Sequence, residues 1–265
     1  MGRLQHLRQS LPMIAALPGV ACVVVDYGCP DGAGDWVQSH FPAVTVARAR
    51  GVRYYCAAKA RNLGSQYAYT PWICFVDADT LVGPRFHLDI RSVLRDNAFF
   101  LADPCPHALA GLVVCRLDDF RRIGGYDELF AGWGSEDRDL YERLARLGLA
   151  RASLPARDIR AIPHGDIERT RHHAIGDRFL SLRINGMYFQ IKHDLARLTG
   201  QIDLALRDRQ ALYERVRDRV LSQPQSPATL EVTLPGHCDF TQPPDWRLRR
   251  TIRYSFESID PGTAP

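Results

Sequence analysis

The chain has 265 residues and a mass of 29.9 kDa, with 46% hydrophobic and 24% charged residues. That composition excludes a disordered chain and leaves room for a full-sized buried core. A formal charge of +4, from 34 basic and 30 acidic residues, excludes a dedicated nucleic-acid binder but suits a diphosphate or an anionic membrane surface. The seven cysteines form no C-x-x-C pair. Cys22, Cys74 and Cys115 lie in apolar runs, the pattern of buried free thiols in a reducing cytoplasm.

Leu4, Leu7, Leu11 and Ile14 recur at helical spacing and predict a helix over Arg3 to Leu17, stopped by Gly19. The apolar stretch Leu11 to Val25 is broken by Pro12 and Pro18 and is shorter than the roughly 20 residues of a bilayer span, so any membrane contact is expected to be peripheral. Val20 to Val25 reads as a buried strand ending at Asp26. The loop from Tyr27 to Gly32 has the composition of a tight turn before a helix. Ala43 to Ala47 reads as a second strand. Cys56 to Tyr69 reads as a helix with Lys59, Arg61 and Asn62 on its polar face, and Trp72 to Val76 as a third strand. Strands alternating with helices through short connections predict an α/β fold with a mostly parallel sheet flanked by helices.

Beyond Asp79, helices are predicted over Pro84 to Asp96, Leu117 to Ile123 and Ser135 to Leu147, and short strands over Ala98 to Ala102 and Gly111 to Cys115. Ser135 is placed as an N-cap, which puts Glu136 and Asp137 in a first helical turn. Two long helices follow, Asp177 to Leu198 and Ile202 to Leu221. Ser222 to Pro227 has linker composition, and Thr229 to Leu234 reads as an edge strand.

Three places carry chemistry. Asp77 and Asp79 follow a five-residue apolar run; two residues apart on an extended backbone, both carboxylates would face one cation, and hard oxygen ligands suit magnesium or manganese. Gly132-Trp133-Gly134-Ser135-Glu136-Asp137 joins two glycines and an indole, a platform for a sugar ring, to an acid pair that could act as a general base. His164, after Ala161-Ile162-Pro163, is a candidate ligand through a neutral imidazole, with His172 and His173 as rivals in a charged segment.

Asp77-Ala78-Asp79, the run Gly132 to Leu140 and His164 together resemble the metal-dependent GT-A glycosyltransferases, in particular the inverting β-1,4-galactosyltransferases and the galactosyltransferase-like modules of bacterial polysaccharide-synthesising enzymes. Arg3 to Leu7 and Ala58 to Asn62 are similar to two further motifs of that family. The resemblance implies a Rossmann-like GT-A domain over residues 1–200 with a helical and irregular C-terminal extension over 201–265. It implies that Asp79 and His164, with Asp77 beside the donor, hold Mn2+ or Mg2+, and that Arg3, Asp26, Lys59, Asn62 and Asp77 surround a UDP-sugar. Asp137 would be the catalytic base, with Glu136, Trp133 and Gly134 placing the acceptor. The long helix near Arg183, Asn185 and Tyr188 is expected to read that acceptor, a glycan or other hydroxyl compound.

The family places a strand before the element that resembles Arg3 to Leu7, and this sequence has none there, so the segment after Pro227 is a candidate to fill that sheet position. The family's methionine ligand is replaced by Ala161. The expected activity is transfer of galactose or N-acetylgalactosamine from a UDP-sugar with inversion. The rival expectation is a weakly active or inactive nucleotide-sugar-binding relative that partners another enzyme.

Overall fold

A computed structural model describes residues 1–103, 109–165, 168, 170–222, 228–235 and 249–256. Its first half alternates as the sequence pattern predicts: α1 (Leu4–Ala15), β1 (Val23–Tyr27), α2 (Ala33–His40), β2 (Thr45–Ala49), α3 (Ala57–Ser65) and β3 (Trp72–Phe75). β1 and β2 pair in parallel, with Val23 opposite Thr45 and Tyr27 opposite Ala49. The helical crossover through α2 is what permits this direction. α1 and α2 cover one face of the pair, where Leu11 and Val37 pack with Val24 and Val46.

The chain continues through β4 (Thr80–Val82), α4 (Phe86–Val93), β5 (Ala98–Asp103), β6 (Val113–Arg116), α5 (Leu117–Arg122), α6 (Glu136–Arg146), β7 (Ala150–Pro155) and β8 (Ile159–Ala161). The larger sheet runs β3-β6-β5-β7. It is mixed: β5 and β7, joined through helices, are parallel, whereas β6 runs antiparallel to both β3 and β5. Phe99, Phe100, Val113, Val114 and Leu154 of this sheet are at most 1% exposed, and Leu140 and Leu144 of α6 are fully buried with them. The three-residue β4 and β8 form a separate antiparallel ribbon.

α7 (Arg178–Thr199), α8 (Leu206–Ser222) and the antiparallel hairpin β9 (Ala228–Pro235) and β10 (Arg249–Phe256) share a second core, built on Ile184, Tyr188, Ile191, Val216 and Leu230. Among the described residues β9 pairs only with β10, so the strand after Pro227 does not fill the position of a first strand in the main sheet. Its apolar residues are already engaged by α7 and α8. Of the expected linker, only Ser222 is among the described residues. No described helix is long and apolar enough to cross a membrane.

A buried ionic cluster ties α6 to α7. Lys192 Nζ lies 2.8 Å from Asp127 Oδ2, 2.5 Å from Asp139 Oδ1 and 3.2 Å from Asp203 Oδ2. Arg143 and His193 also hold Asp139, while Tyr188 and Arg209 hold Asp127. Burial alone would raise both carboxyl pKa values. Lys192 and Arg209 outweigh it at Asp127, as Arg143 and Lys192 do at Asp139, and both stay below the ordinary carboxylate range. Their stabilisation is therefore full above the unfolded carboxylate pKa and is lost as pH falls through the depressed folded values. Lys192→Met is expected to destabilise the fold by about 3–5 kcal/mol, because it strands buried charge. Urea denaturation checks this, and a loss within the range of a surface substitution would contradict the buried-network account.

Candidate functional site

The site gathers at the ends of β1 and β3, on the β4–β8 ribbon and at the start of α6. In the ribbon, Thr80 pairs with Ala161, and the Ile162 amide donates to the Asp79 carbonyl at 2.7 Å. This register sets Asp79 beside His164, with Nε2 3.3 Å from Asp79 Oδ2. His164 Nδ1 lies 2.9 Å from the Ile162 carbonyl oxygen. An Nδ1–H donated there leaves the Nε2 lone pair facing a carboxylate oxygen. Two such acceptors at this separation call for a proton or a cation between them. Burial first, then Asp77, raises the Asp79 pKa, against the opposing pull of His164 and Arg3.

Asp77 faces elsewhere. The expectation that Asp77 and Asp79 share one direction fails because the chain leaves the extended conformation after Phe75 and turns, with the Thr80 amide donating to the Asp77 carbonyl at 3.0 Å. Asp77 Oδ1 instead accepts from Arg61 Nη2 at 2.8 Å. Gly111 permits this approach, since a Cβ there would lie 2.3 Å from Asp77 Oδ2.

Arg61 Nη1 reaches Asp137 Oδ1 at 2.9 Å and Glu136 Oε1 at 3.5 Å, so one guanidinium joins the acids of the β3 turn to those of α6. Its own burial opposes its charge, but Asp137, Tyr126, Asp77 and Glu136 together keep the pKa well above ordinary. Asp137 is mostly buried, and the Tyr126 hydroxyl donates to its Oδ1 at 3.4 Å. Desolvation raises its pKa well above the usual carboxylate value; Arg61 opposes this, and Glu136 and Asp77 reinforce it.

The loop before α6 takes three left-handed turns in four residues, at Gly132 (φ 83°), Gly134 (φ 97°) and Ser135 (φ 75°). Ser135 occupies the N-cap position but makes no side-chain cap hydrogen bond. A Cβ at Gly132 would meet Ser181 Oγ at 2.3 Å, so this close packing on α7 requires glycine. The Asn185 side-chain amide donates to the Ala131 and Trp133 carbonyls from below. Trp133 lines the cleft, with the Arg178 guanidinium 4.2 Å from its ring centroid.

Several expected positions fall elsewhere. Lys59 points to solvent from α3. Asn62 is committed to Tyr126 and Glu128 through both ends of its amide, a brace for the loop before the Trp133 turn. Asp26 accepts from the Cys29 and Gly34 amides and from Arg48, and so closes the turn into α2. Arg3 lines the cleft but pairs with Glu168 at 2.8 Å. Asn185 and Tyr188 are fully buried, too deep to read an acceptor. His173 packs edge-on against Tyr55, and neither His172 nor His173 is paired with Asp79. Arg61, the hub of the site, was visible in sequence only as one of three polar residues on α3.

Residues 95–173 match the family model described as the N-terminal domain of galactosyltransferase. Two solved structures share the fold across most of the chain. One is a mannosyltransferase, PcManGT from Pyrobaculum calidifontis, in complex with GDP-Man and Mn2+ (TM-score 0.52, 14% identity, 83% of this chain and 72% of that one). The other is TarS 1–349 from S. aureus (TM-score 0.54, 14% identity, 84% of this chain and 69% of that one). The chain therefore has the fold of these glycosyltransferases, and residues 95–173 carry a galactosyltransferase family segment. A Drosophila β-1,4-galactosyltransferase 7 mutant, in complex with manganese, UDP-Gal and xylobiose, overlaps less well (TM-score 0.43, 16% identity, 61% of this chain and 79% of that one). No curated protein sequence matches the chain.

A divalent cation fits the Asp79–His164 pair. Among the described residues no group of three or more His, Cys, Asp or Glu side chains is placed to hold a metal ion, so the protein would supply only these two donors. Two protein donors with remaining positions for phosphate oxygens and water are the usual arrangement for a hard cation on a nucleotide. With UDP present, saturating Mn2+ at about a hundred times its Kd should stabilise the protein by about 2.7 kcal/mol, or raise Tm by about 5–10 °C. Asp79→Asn and His164→Ala should each remove that shift in a thermal melt. An undiminished shift in both would place the cation elsewhere.

Proposed function

We propose that this protein is a metal-dependent inverting glycosyltransferase that moves a hexose, galactose or N-acetylgalactosamine, from a UDP-sugar to an acceptor hydroxyl. The observation that carries the reading is one cleft lined by two chemically distinct parts: the Asp79–His164 pair beside the β4–β8 ribbon, and Arg61 with Asp77 and Glu136, Arg61 also holding Asp137 next to Glu136. The galactosyltransferase family segment spans His164 and the α6 acids. The mannosyltransferase neighbour, solved with a nucleotide-sugar and Mn2+, supports a nucleotide-sugar and cation for this chain.

Asp79 and His164 would hold the cation, which when bound would neutralise charge on the departing diphosphate. Arg3, which lines the same cleft, adds positive charge there. Asp137 is the base. Its Oδ1 is held by Arg61 and Tyr126, which leaves Oδ2 as the oxygen to take the proton of the attacking hydroxyl. The upward displacement of its pKa brings its basicity closer to neutral pH, where proton transfer from an alcohol is better supported. Glu136 and the indole of Trp133 line the acceptor side of the cleft, and the indole face suits the apolar face of a sugar ring.

Asp137→Asn is expected to lower kcat roughly 10²–10⁴-fold, the range of general-base contributions, while calorimetry shows unchanged UDP affinity. Unaltered turnover would remove Asp137 from the base role. The pH profile gives a second check. A base must be deprotonated, so kcat/KM should fall on acidification with a midpoint above the ordinary carboxylate value, reflecting the desolvated Asp137. A rate flat down to the ordinary carboxylate range would contradict that assignment.

A further inference from the structure

α1 buries two polar residues one turn apart, His6 and Ser10. Positions i and i+4 share a helix face, and from that face both residues reach the Asp79–His164 pair. The Ser10 hydroxyl donates to the Ala78 carbonyl at 2.7 Å, the peptide group that leads into Asp79. The His6 ring packs on the His164 ring, with centroids 5.3 Å apart and planes inclined at 44°.

The β4–β8 ribbon aligns the backbones of Asp79 and Ile162 but leaves the His164 ring to be oriented by other means. His164 lies beyond the end of β8, and among the described residues its hydrogen bond is the local one to the Ile162 carbonyl. That bond selects which nitrogen carries the proton, while the ring can still pivot about it. A metal donor must be held within about 0.5 Å and 10–20° of its productive geometry, and packing against the ring supplies that constraint. His6 is itself held. Arg3 Nη1 donates to Glu168 Oε1 at 2.8 Å and lies 3.2 Å from His6 Nδ1, which must be the acceptor because a guanidinium only donates. His6 Nε2 faces Glu168 Oε1 at 3.6 Å. With both nitrogens turned to these partners, what His6 offers His164 is packing rather than a hydrogen bond.

We infer that His6 and Ser10 are positioning residues for the cation pair. Ser10 sets the peptide from which Asp79 projects, His6 sets the plane of the His164 imidazole, and α1 thereby fixes the separation of the two donors. The inference rests on the reading of Asp79 and His164 as the cation's ligands. Because one helix carries both contacts, a change in that separation requires α1 to move. α1 is anchored by Leu11, which is buried with Val37 and Val44.

The test uses the full chain and the variants His6→Ala, His6→Gln, His6→Phe and Ser10→Ala, with two readouts that do not involve sugar transfer. In metal-free protein, the NMR signals of the His164 ring should broaden or double in His6→Ala and His6→Gln and stay single and sharp in His6→Phe, which keeps a ring at that position. With UDP present, Mn2+ affinity measured from the electron paramagnetic resonance of the free ion should fall about 10–100-fold in His6→Ala, His6→Gln and Ser10→Ala, the range for partners that orient a ligand. His6→Phe should bind Mn2+ close to the wild-type value. Wild-type Mn2+ affinity in folded His6→Ala or Ser10→Ala would overturn the inference, as would a loss in His6→Phe as large as that in His6→Ala. Absence of Mn2+ uptake by the wild-type chain would instead remove the ligand assignment. The metal-free spectra still decide the packing role in that case: sharp His164 signals in His6→Ala would overturn it, and broadened ones would uphold it.

Discussion

The arrangement of the site depends on a single guanidinium. Four carboxylates, Asp77, Asp79, Glu136 and Asp137, come from two stretches of chain far apart in sequence, and like charges at such density oppose the fold that assembles them. Arg61 makes the assembly tolerable: it lies on α3, between the two stretches, with Asp77 on one nitrogen and Asp137 and Glu136 on the other. The ring of Tyr126, 5.0 Å from its Cζ, and the mostly buried surroundings strengthen that attraction relative to water. Asp79 stands apart from Arg61, with His164 Nε2 3.3 Å from its carboxylate. The same division separates the Asp79–His164 pair from the acids that Arg61 holds.

The scaffold keeps these groups in place by two devices that have no chemistry of their own. The β4–β8 ribbon is only three residues long on each side, yet its register fixes Asp79 against the segment that carries His164. The Lys192 cluster fixes α6 against α7 from the opposite side, through Asp139, two residues beyond Asp137. Because α7 also packs under Gly132 and Gly134, it supports the Trp133 loop that lines the cleft.

Much of the frame could be read from the sequence because it is written in runs of apolar residues. The apolar run of β3, the spacing of α1 and the acidic first turn of α6 are local signals, and each lies within a few residues of where the pattern puts it. What escaped was set by rotation and by short-range turns. Lys59, Arg61 and Asn62 are three polar residues on one helix, and only the tertiary placement of α3 decides that Arg61 faces the acids, Asn62 the Tyr126 loop and Lys59 the solvent. The separation of Asp77 from Asp79 follows from a turn that begins at Asp77, two residues after the end of β3, a feature no alternation pattern encodes. β4 and β8 are too short to show periodicity, and the burial of Asn185 and Tyr188 reflects packing between helices distant in sequence.

The central claim is that the β4–β8 ribbon and the start of α6 line a single cation-bearing cleft. Paramagnetic broadening by Mn2+ in the presence of UDP, followed by NMR on the isotope-labelled protein, tests it most directly. The account predicts that resonances of Asp79 and His164 broaden first and that the Trp133 indole and the amides of Glu136 and Asp137 follow at higher occupancy, with α8 unaffected. Broadening centred away from Asp79 and His164, or confined to them while the α6 residues remain sharp at saturation, would contradict it.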